Sequence, residues 1–205
     1  MKINYEFHIT VKDVNKEAFI SYCKMINIKP ILLELQNSKN NIILHDTMTS
    51  HHKLLDNDFQ AREELESVAF LLEDAGFEIV RKKIEADINH PDLKEDFKID
   101  NIPNYFETHF NVFINDSEKE KLQEIAKNNN CHFSRNIFKK INNEYTIMIT
   151  YRKYTGTINE FQNDIHKIEN KLKENNFKIE KVIVEYAIYD TKEDWDKEWL
   201  NSTPE

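Results

Sequence analysis

A chain of 205 residues, 40% hydrophobic and carrying 13 Phe and 8 Tyr, has enough apolar material for a full core in one domain or two small ones. Its 37 acidic and 28 basic residues give a formal charge of -9 with the two signs interleaved, which argues against bulk nucleic-acid binding through a basic stripe. Only two glycines occur, no dinucleotide or P-loop fingerprint is present, no apolar run is long enough to span a bilayer, and Cys23 and Cys131 form no CxxC pair. The expectation is a soluble, cytoplasmic protein with free thiols and no membrane contact.

Taken in chain order, "INYEFHITV" alternates apolar and polar residues and predicts a strand, and "NKEAFISYCKMIN" has helical spacing. "PILLEL" and "NIILHDTMT" predict strands, "DFQAREELESVAFLLEDAG" an amphipathic helix and "FEIVRKKIEADI" a strand. A polar, proline-marked stretch at 89–104 follows. The same order then runs again: strand "YFETHFNVF", helix "SEKEKLQEIAKNNN" with Ser117 as N-cap, strands "CHFSRNIF" and "EYTIMITYR", helix "INEFQNDIHKIENKLKENN" and strand "FKIEKVIVEYAIYD".

Residues keep register between the halves. Glu6 and His8 match Glu107 and His109, Phe59-Gln60 matches Phe161-Gln162, and Phe77, Ile79 and Glu85 match Phe177, Ile179 and Glu185. The reading is an α+β fold made by tandem duplication of a ferredoxin-like βαββαβ unit, with pseudo-two-fold symmetry and helices on one face of antiparallel sheets. Its divisions are a first repeat at 1–88, a linker at 89–104, a second repeat at 105–190 and a tail at 191–205. The two open sheet faces either pack toward each other around a cleft or join edges in one continuous sheet. An internally duplicated chain is also compatible with a monomer.

Strand alternation puts Glu6, His8 and Thr10 on the open face of the first repeat, with Arg81, Lys83 and Glu85 from its last strand. The second repeat places Glu107, His109, Asn111 and Glu185 there, adds Arg152, and adds His132 with Ser134 if Phe133 is buried. A His beside a carboxylate suits a general acid or base near neutral pH, so His8 and His109, backed by Glu6 and Glu107, are the catalytic candidates. Thr10, Asn111 and the cationic side chains are candidates to hold a small phosphorylated ligand, with Glu85, Glu185, His132 and Ser134 alongside.

"FHIT" resembles the HxT/S signature of the two-histidine (LigT-like) phosphoesterase superfamily, two-lobed proteins with one such motif on a strand of each lobe. The resemblance implies metal-independent cleavage of a phosphodiester, with two His as acid and base and the hydroxyls on phosphate. His8 and Thr10 match its first motif; the second departs, because Asn111 stands two after His109 and the HxS of this half is His132-Phe133-Ser134.

Other readings stand beside it. Glu6, His8 and Glu85, or Glu107, His109 and Glu185, are ligands that zinc or manganese accepts, although no cofactor is required by the main reading. A triphosphate-tunnel barrel would explain "RKKIEAD" and "EYTIMITYRK", but Glu-x-His stands where that class shows Glu-x-Glu-x-Lys. A non-catalytic module with a polar, solvated sheet face is the bland alternative. "HDTMTSHH", with His45, Asp46, His51 and His52, reads as a polar strand end entering a loop. Asn128 to Asn130 read as compositional habit, and Trp195 with Trp199 as a helical cover for the sheet end.

Overall fold

The computed structural model describes residues 2–12, 14–36, 43–90, 93, 98–99, 104–141 and 144–192, of which 34–36, 43–45, 98–99, 135–141 and 144 are described in backbone only. Trp195 and Trp199 lie outside the described residues. The element order is β1 (Ile3–Val11), α1 (Lys16–Met25), β2 (Lys29–Gln36), β3 (Ile43–Leu55), α2 (Asp58–Asp74) and β4 (Ile79–Asp87). After the short β5 (Lys98–Ile99) come β6 (Tyr105–Asn115), a 3-10 turn (Asp116–Glu118), α3 (Lys119–Asn128), β7 (His132–Ile141), β8 (Glu144–Lys153), the short β9 (Gly156–Thr157), α4 (Ile158–Glu174) and β10 (Lys178–Asp190).

The protein is α+β, with antiparallel strands and helices. Within the first half the strands lie in the order β4-β1-β3-β2, and within the second in the order β10-β6-β8-β7, the sheet order of the ferredoxin-like unit. Both pairs of edges meet. β4 pairs with β10, β2 pairs with β7, and the eight strands close into one barrel. Closure leaves no unpaired edge in the barrel. The two open faces become one lumen, so the arrangement combines the facing sheets and the joined edges that the sequence left as alternatives.

The side of each sheet turned toward the helices carries the core. Tyr5, Phe7, Ile9 and Ile84 meet Phe19, Leu65 and Leu72 in one half, and Phe106, Phe110, Ile147 and Ile149 meet Phe161, Ile165 and Leu172 in the other. Phe106 stacks on Phe161 with ring centroids 5.1 Å apart. Each such large apolar side chain taken out of water stabilises the fold by about 1.5–3 kcal/mol, which is what holds the helices on the barrel.

The helices end alike. Asn27, Gly76, Asn130 and Asn176 all adopt the left-handed backbone just past a helix, with φ of 57, 86, 54 and 65. In each case the amide of the next residue reaches the carbonyl five positions back: Ile28 to Cys23, Phe77 to Leu72, Cys131 to Ala126 and Phe177 to Leu172. Asparagine tolerates this conformation better than other residues with a Cβ, so a chain with two glycines uses it to stop three of the four α-helices among the described residues. Asn130 is therefore a structural stop rather than compositional habit.

Two other local expectations are corrected. Asn115, not Ser117, opens the second-half helical segment: its side chain accepts from the Ser117 amide while Glu118 accepts from the Asn115 amide. "HDTMTSHH" is the body of the long strand β3, not a strand end entering a loop. His51 stacks on Phe7 on the helix side and lies near Glu64 of α2, whereas His52 turns to the lumen.

Candidate functional site in the barrel lumen

Alternation along the strands delivers polar residues to the lumen as the sequence predicts. On β1, Glu6 lies opposite Glu85, His8 opposite Lys83 and Thr10 opposite Arg81 of β4. On β6, Glu107 lies opposite Glu185, His109 opposite Ile183 and Asn111 opposite Lys181 of β10. β8 adds Arg152 opposite Glu107 and Thr150 opposite His109.

The side chains form one continuous chain of contacts. His8 Nε2 is 3.0 Å from Glu85 Oε2, and the other Glu85 oxygen is 2.6 Å from Lys83 Nζ. Lys83 Nζ also donates to Glu107 Oε2 at 2.7 Å, where Arg152 Nε donates at 2.9 Å. Glu107 Oε1 is 3.2 Å from His109 Nε2, which is 3.5 Å from Glu185 Oε2. At the other end Glu6 lies 3.5 Å from His8 and from His52, and accepts from Ser50 Oγ at 2.7 Å. Lys83 is the hinge of this network: a buried ammonium from the first half that binds a carboxylate of each half.

The two histidines differ in what their second nitrogen meets. His8 Nδ1 faces the Thr49 carbonyl at 3.1 Å, an acceptor, while its Nε2 faces the Glu85 carboxylate. A ring between two acceptors is satisfied only as the imidazolium. Burial works against that charge, but the hydrogen bond and charge of Glu85, with Glu6, outweigh it and raise His8 above its ordinary value. His109 Nδ1 instead lies 2.8 Å from Thr150 Oγ1, a hydroxyl that can donate. The neutral ring with Nε2–H toward Glu107 then satisfies both sides, and burial, aided by Lys83 and Arg152, holds His109 below its ordinary value despite Glu107.

The matched carboxylates split in the same way. Glu85 is buried, which by itself favours the neutral acid, yet the Lys83 ammonium beside it and His8 bring it down to about 2. Glu185 has no such ammonium; burial together with the charges of Glu85 and Glu6 pushes it up to about 10. Equivalent positions in the two halves are thus shifted in opposite directions.

A second cluster joins the same lumen. Arg81 makes a two-pronged ion pair with Asp190, at 2.9 and 2.5 Å, and Tyr105 Oη donates to Asp190 at 2.7 Å. Lys83 Nζ and Arg152 Cζ each lie 5.4 Å from the Tyr105 ring centroid. Sequence alternation hides Asp190. Counting by two from Glu185 puts residue 189 in the lumen, but a bulge between Ala187 and Tyr189 shifts the register. Tyr189 then faces outward under Arg62, and Asp190 turns in.

Of the sequence candidates, Glu6, His8, Lys83, Glu85, Glu107, His109, Arg152 and Glu185 meet in the network, and Arg81 joins through Tyr105. Thr10 is buried opposite Met48, Asn111 lies opposite Met148, His132 lies opposite Thr150, and Ser134 Oγ reaches the Met148 carbonyl at 3.4 Å. Thr150, Ser50, Tyr105 and Asp190 join these contacts without having been picked out by sequence reasoning. For Thr150 and Ser50 a signal existed, since they stand at matched positions of β8 and β3 and share the face of Arg152 and His52.

Glu85, Glu107 and His109 offer ligand atoms within 4.8 Å of one another, a spacing that suits a divalent metal. The Lys83 ammonium already bridges the two carboxylates, so an ion there would have to displace it. Among the described residues, no helix is long and apolar enough to cross a membrane.

No family model matches the sequence, and no curated protein matches it. Two solved structures align with it at low similarity. A candidate monooxygenase from Fusobacterium nucleatum subsp. nucleatum is 10% identical over 92% of this chain and 93% of its own, with a TM-score of 0.34. The small subunit of acetolactate synthase from Thermotoga maritima is 11% identical over 92% and 96%, with a TM-score of 0.27. Neither score is high enough to inform the chemistry of the lumen.

Proposed function

We propose that the barrel lumen binds a small polar ligand and moves protons on it, with His8 as the acid and His109 as the base, and that a small phosphoester or nucleotide-like molecule is the substrate class. The observation that carries this reading is the different partner of each Nδ1. His8, held between a carbonyl and a carboxylate, keeps a proton to give. His109, oriented by Glu107 and bonded to Thr150, has room to take one through that hydroxyl. Two similar groups pushed to opposite protonation states are what acid–base catalysis at neutral pH needs.

Arg81, Lys83 and Arg152 supply the positive charge for a phosphate, whose oxygens would compete with Asp190, Glu85 and Glu107 for them. No metal is needed for the proton transfers. The two halves, 1–88 and 105–190, are read as a tandem duplication, which accounts for the same strand order and for the matched Glu-x-His pairs. Because the polar faces are turned into the lumen, they present no flat surface to a protein partner, and a ligand chamber is favoured over an interaction module.

The test is a thermal-shift screen of metal-free protein against cyclic and linear nucleotides and phosphorylated metabolites, followed by turnover of any hit. His8→Gln and His109→Gln are expected to lower turnover by about 10²–10⁴-fold while the hit still binds. Thr150→Val should behave as His109→Gln does, and Thr150→Ser should keep most activity. Equal turnover by wild type and the His8→Gln/His109→Gln double variant would end the acid–base assignment.

A further inference from the structure

The two halves place like residues at like positions around the lumen: Glu6 with Glu107, His8 with His109, Glu85 with Glu185, and His52 with Arg152. His52 approaches Glu6 as Arg152 approaches Glu107. At the position opposite the two histidines the match breaks. Lys83, opposite His8, corresponds to Ile183, opposite His109.

The Lys83 ammonium sits between Glu85 of its own half and Glu107 of the other. The symmetry-related pair is Glu185 and Glu6, and no ammonium stands between them. Among the described residues, Glu6 is approached by Ser50, His8 and His52, and Glu185 by His109; no lysine or arginine reaches either. The lysine-filled position is sealed, with Glu85 and Glu107 each 1% exposed. The Glu6–Glu185 position is more accessible, with Glu6 at 19%, Glu185 at 12% and His52 at 56%. Ile183 supplies an apolar wall where a lysine stem would otherwise run.

We infer that the ligand carries a primary ammonium group, seated between Glu6 and Glu185 at the place that Lys83 fills in the other half. The protein itself shows how this set of side chains holds an alkylammonium, because Lys83 is one. The inference rests on the lumen being a ligand chamber, as proposed above, and adds to that reading a cationic group on the ligand. Burial and the charges of Glu85 and Glu6 push Glu185 up, and an ammonium placed there would oppose them, so its arrival should release a proton into solution.

The experiment uses the full chain with butylammonium and 1,4-diaminobutane as probes, and 1-butanol and Mg²⁺ as controls. Calorimetry near neutral pH, repeated in buffers of different ionisation enthalpy, reads both affinity and proton release. The expected result is binding of the amines but not of butanol, with up to one proton released, weakened at least about tenfold in Glu185→Gln and in Ile183→Lys. Glu185→Gln should fold normally, since the carboxyl it replaces is already neutral, and Ile183→Lys fills the position with a tethered ammonium. Amines that bind no better than butanol, or equally well to both variants, overturn the inference, as does Glu185-dependent binding of Mg²⁺ without amine binding. Phosphoester turnover that needs His8 and His109 while the amines fail would remove the ammonium position alone and leave the acid–base reading standing.

Discussion

Replacing Glu185 by glutamine is expected to change how stability depends on pH. In the folded protein the Glu185 carboxyl is raised to about 10, from its ordinary 4.5, by burial and by the charges of Glu85 and Glu6. A group raised on folding contributes stability that is complete below its unfolded value and is lost as pH rises toward the folded one. Between those limits the folded chain holds one more proton than the unfolded chain, a slope of about 1.4 kcal/mol for each pH unit. Glutamine keeps the shape of the neutral carboxyl and cannot ionise, so the variant lacks this slope. From about pH 6 to about pH 9 wild type should lose up to about 4 kcal/mol relative to Glu185→Gln. Urea unfolding at closely spaced pH values measures it, provided the two proteins share one m-value. Other titrating groups are common to both chains and cancel in the difference. Parallel stability curves would show that Glu185 ionises freely in the lumen, and the account of uneven charge in the two halves would fail.

Lys83→Met removes the ammonium shared by Glu85 and Glu107 and leaves two buried carboxylates short of a cation. The loss should be about 3–5 kcal/mol at neutral pH. Glu85 is held low in wild type, so its contribution is present above the unfolded carboxyl value and lost as pH falls toward about 2; in the variant that contribution is gone, and the gap from wild type should narrow in acid. A gap that is the same at about pH 4 and about pH 7 would contradict the bridging role. Gly156→Ala tests a different place: Gly156 has φ +107, and a Cβ there would strike the Glu160 carboxylate and the Lys153 side chain, the former being the cap on the Thr157 amide. A loss of about 1 kcal/mol or more is expected, with faster hydrogen exchange in the first turn of α4 but not in the barrel strands.

Period-two alternation made the lumen legible, because the rule that sends Phe7 and Phe110 to the core must send Glu6, His8, Glu107 and His109 to the other face. The strand order followed from the repeat. What alternation cannot report is anything that interrupts it or anything between strands far apart in the chain. The bulge before Tyr189 exchanges the faces of two residues and brings Asp190 onto Arg81, and no pattern in "VEYAIYD" announces it. Closure of the barrel rests on β2 meeting β7 and β4 meeting β10, pairings across a hundred residues that leave no local mark. The two halves differ where repetition fails. If both halves carried lysine at the position of Lys83, each pair of central carboxylates would have an ammonium between them. With Ile183 in one half, Glu85 is held low beside Lys83 while Glu185 is pushed up, and the partners of the two rings, Glu85 with the Thr49 carbonyl against Glu107 with the Thr150 hydroxyl, shift His8 up and His109 down. Halves with matched Glu-x-His pairs thus come to have unlike surroundings, and the difference nearest the centre of the network is Lys83 against Ile183.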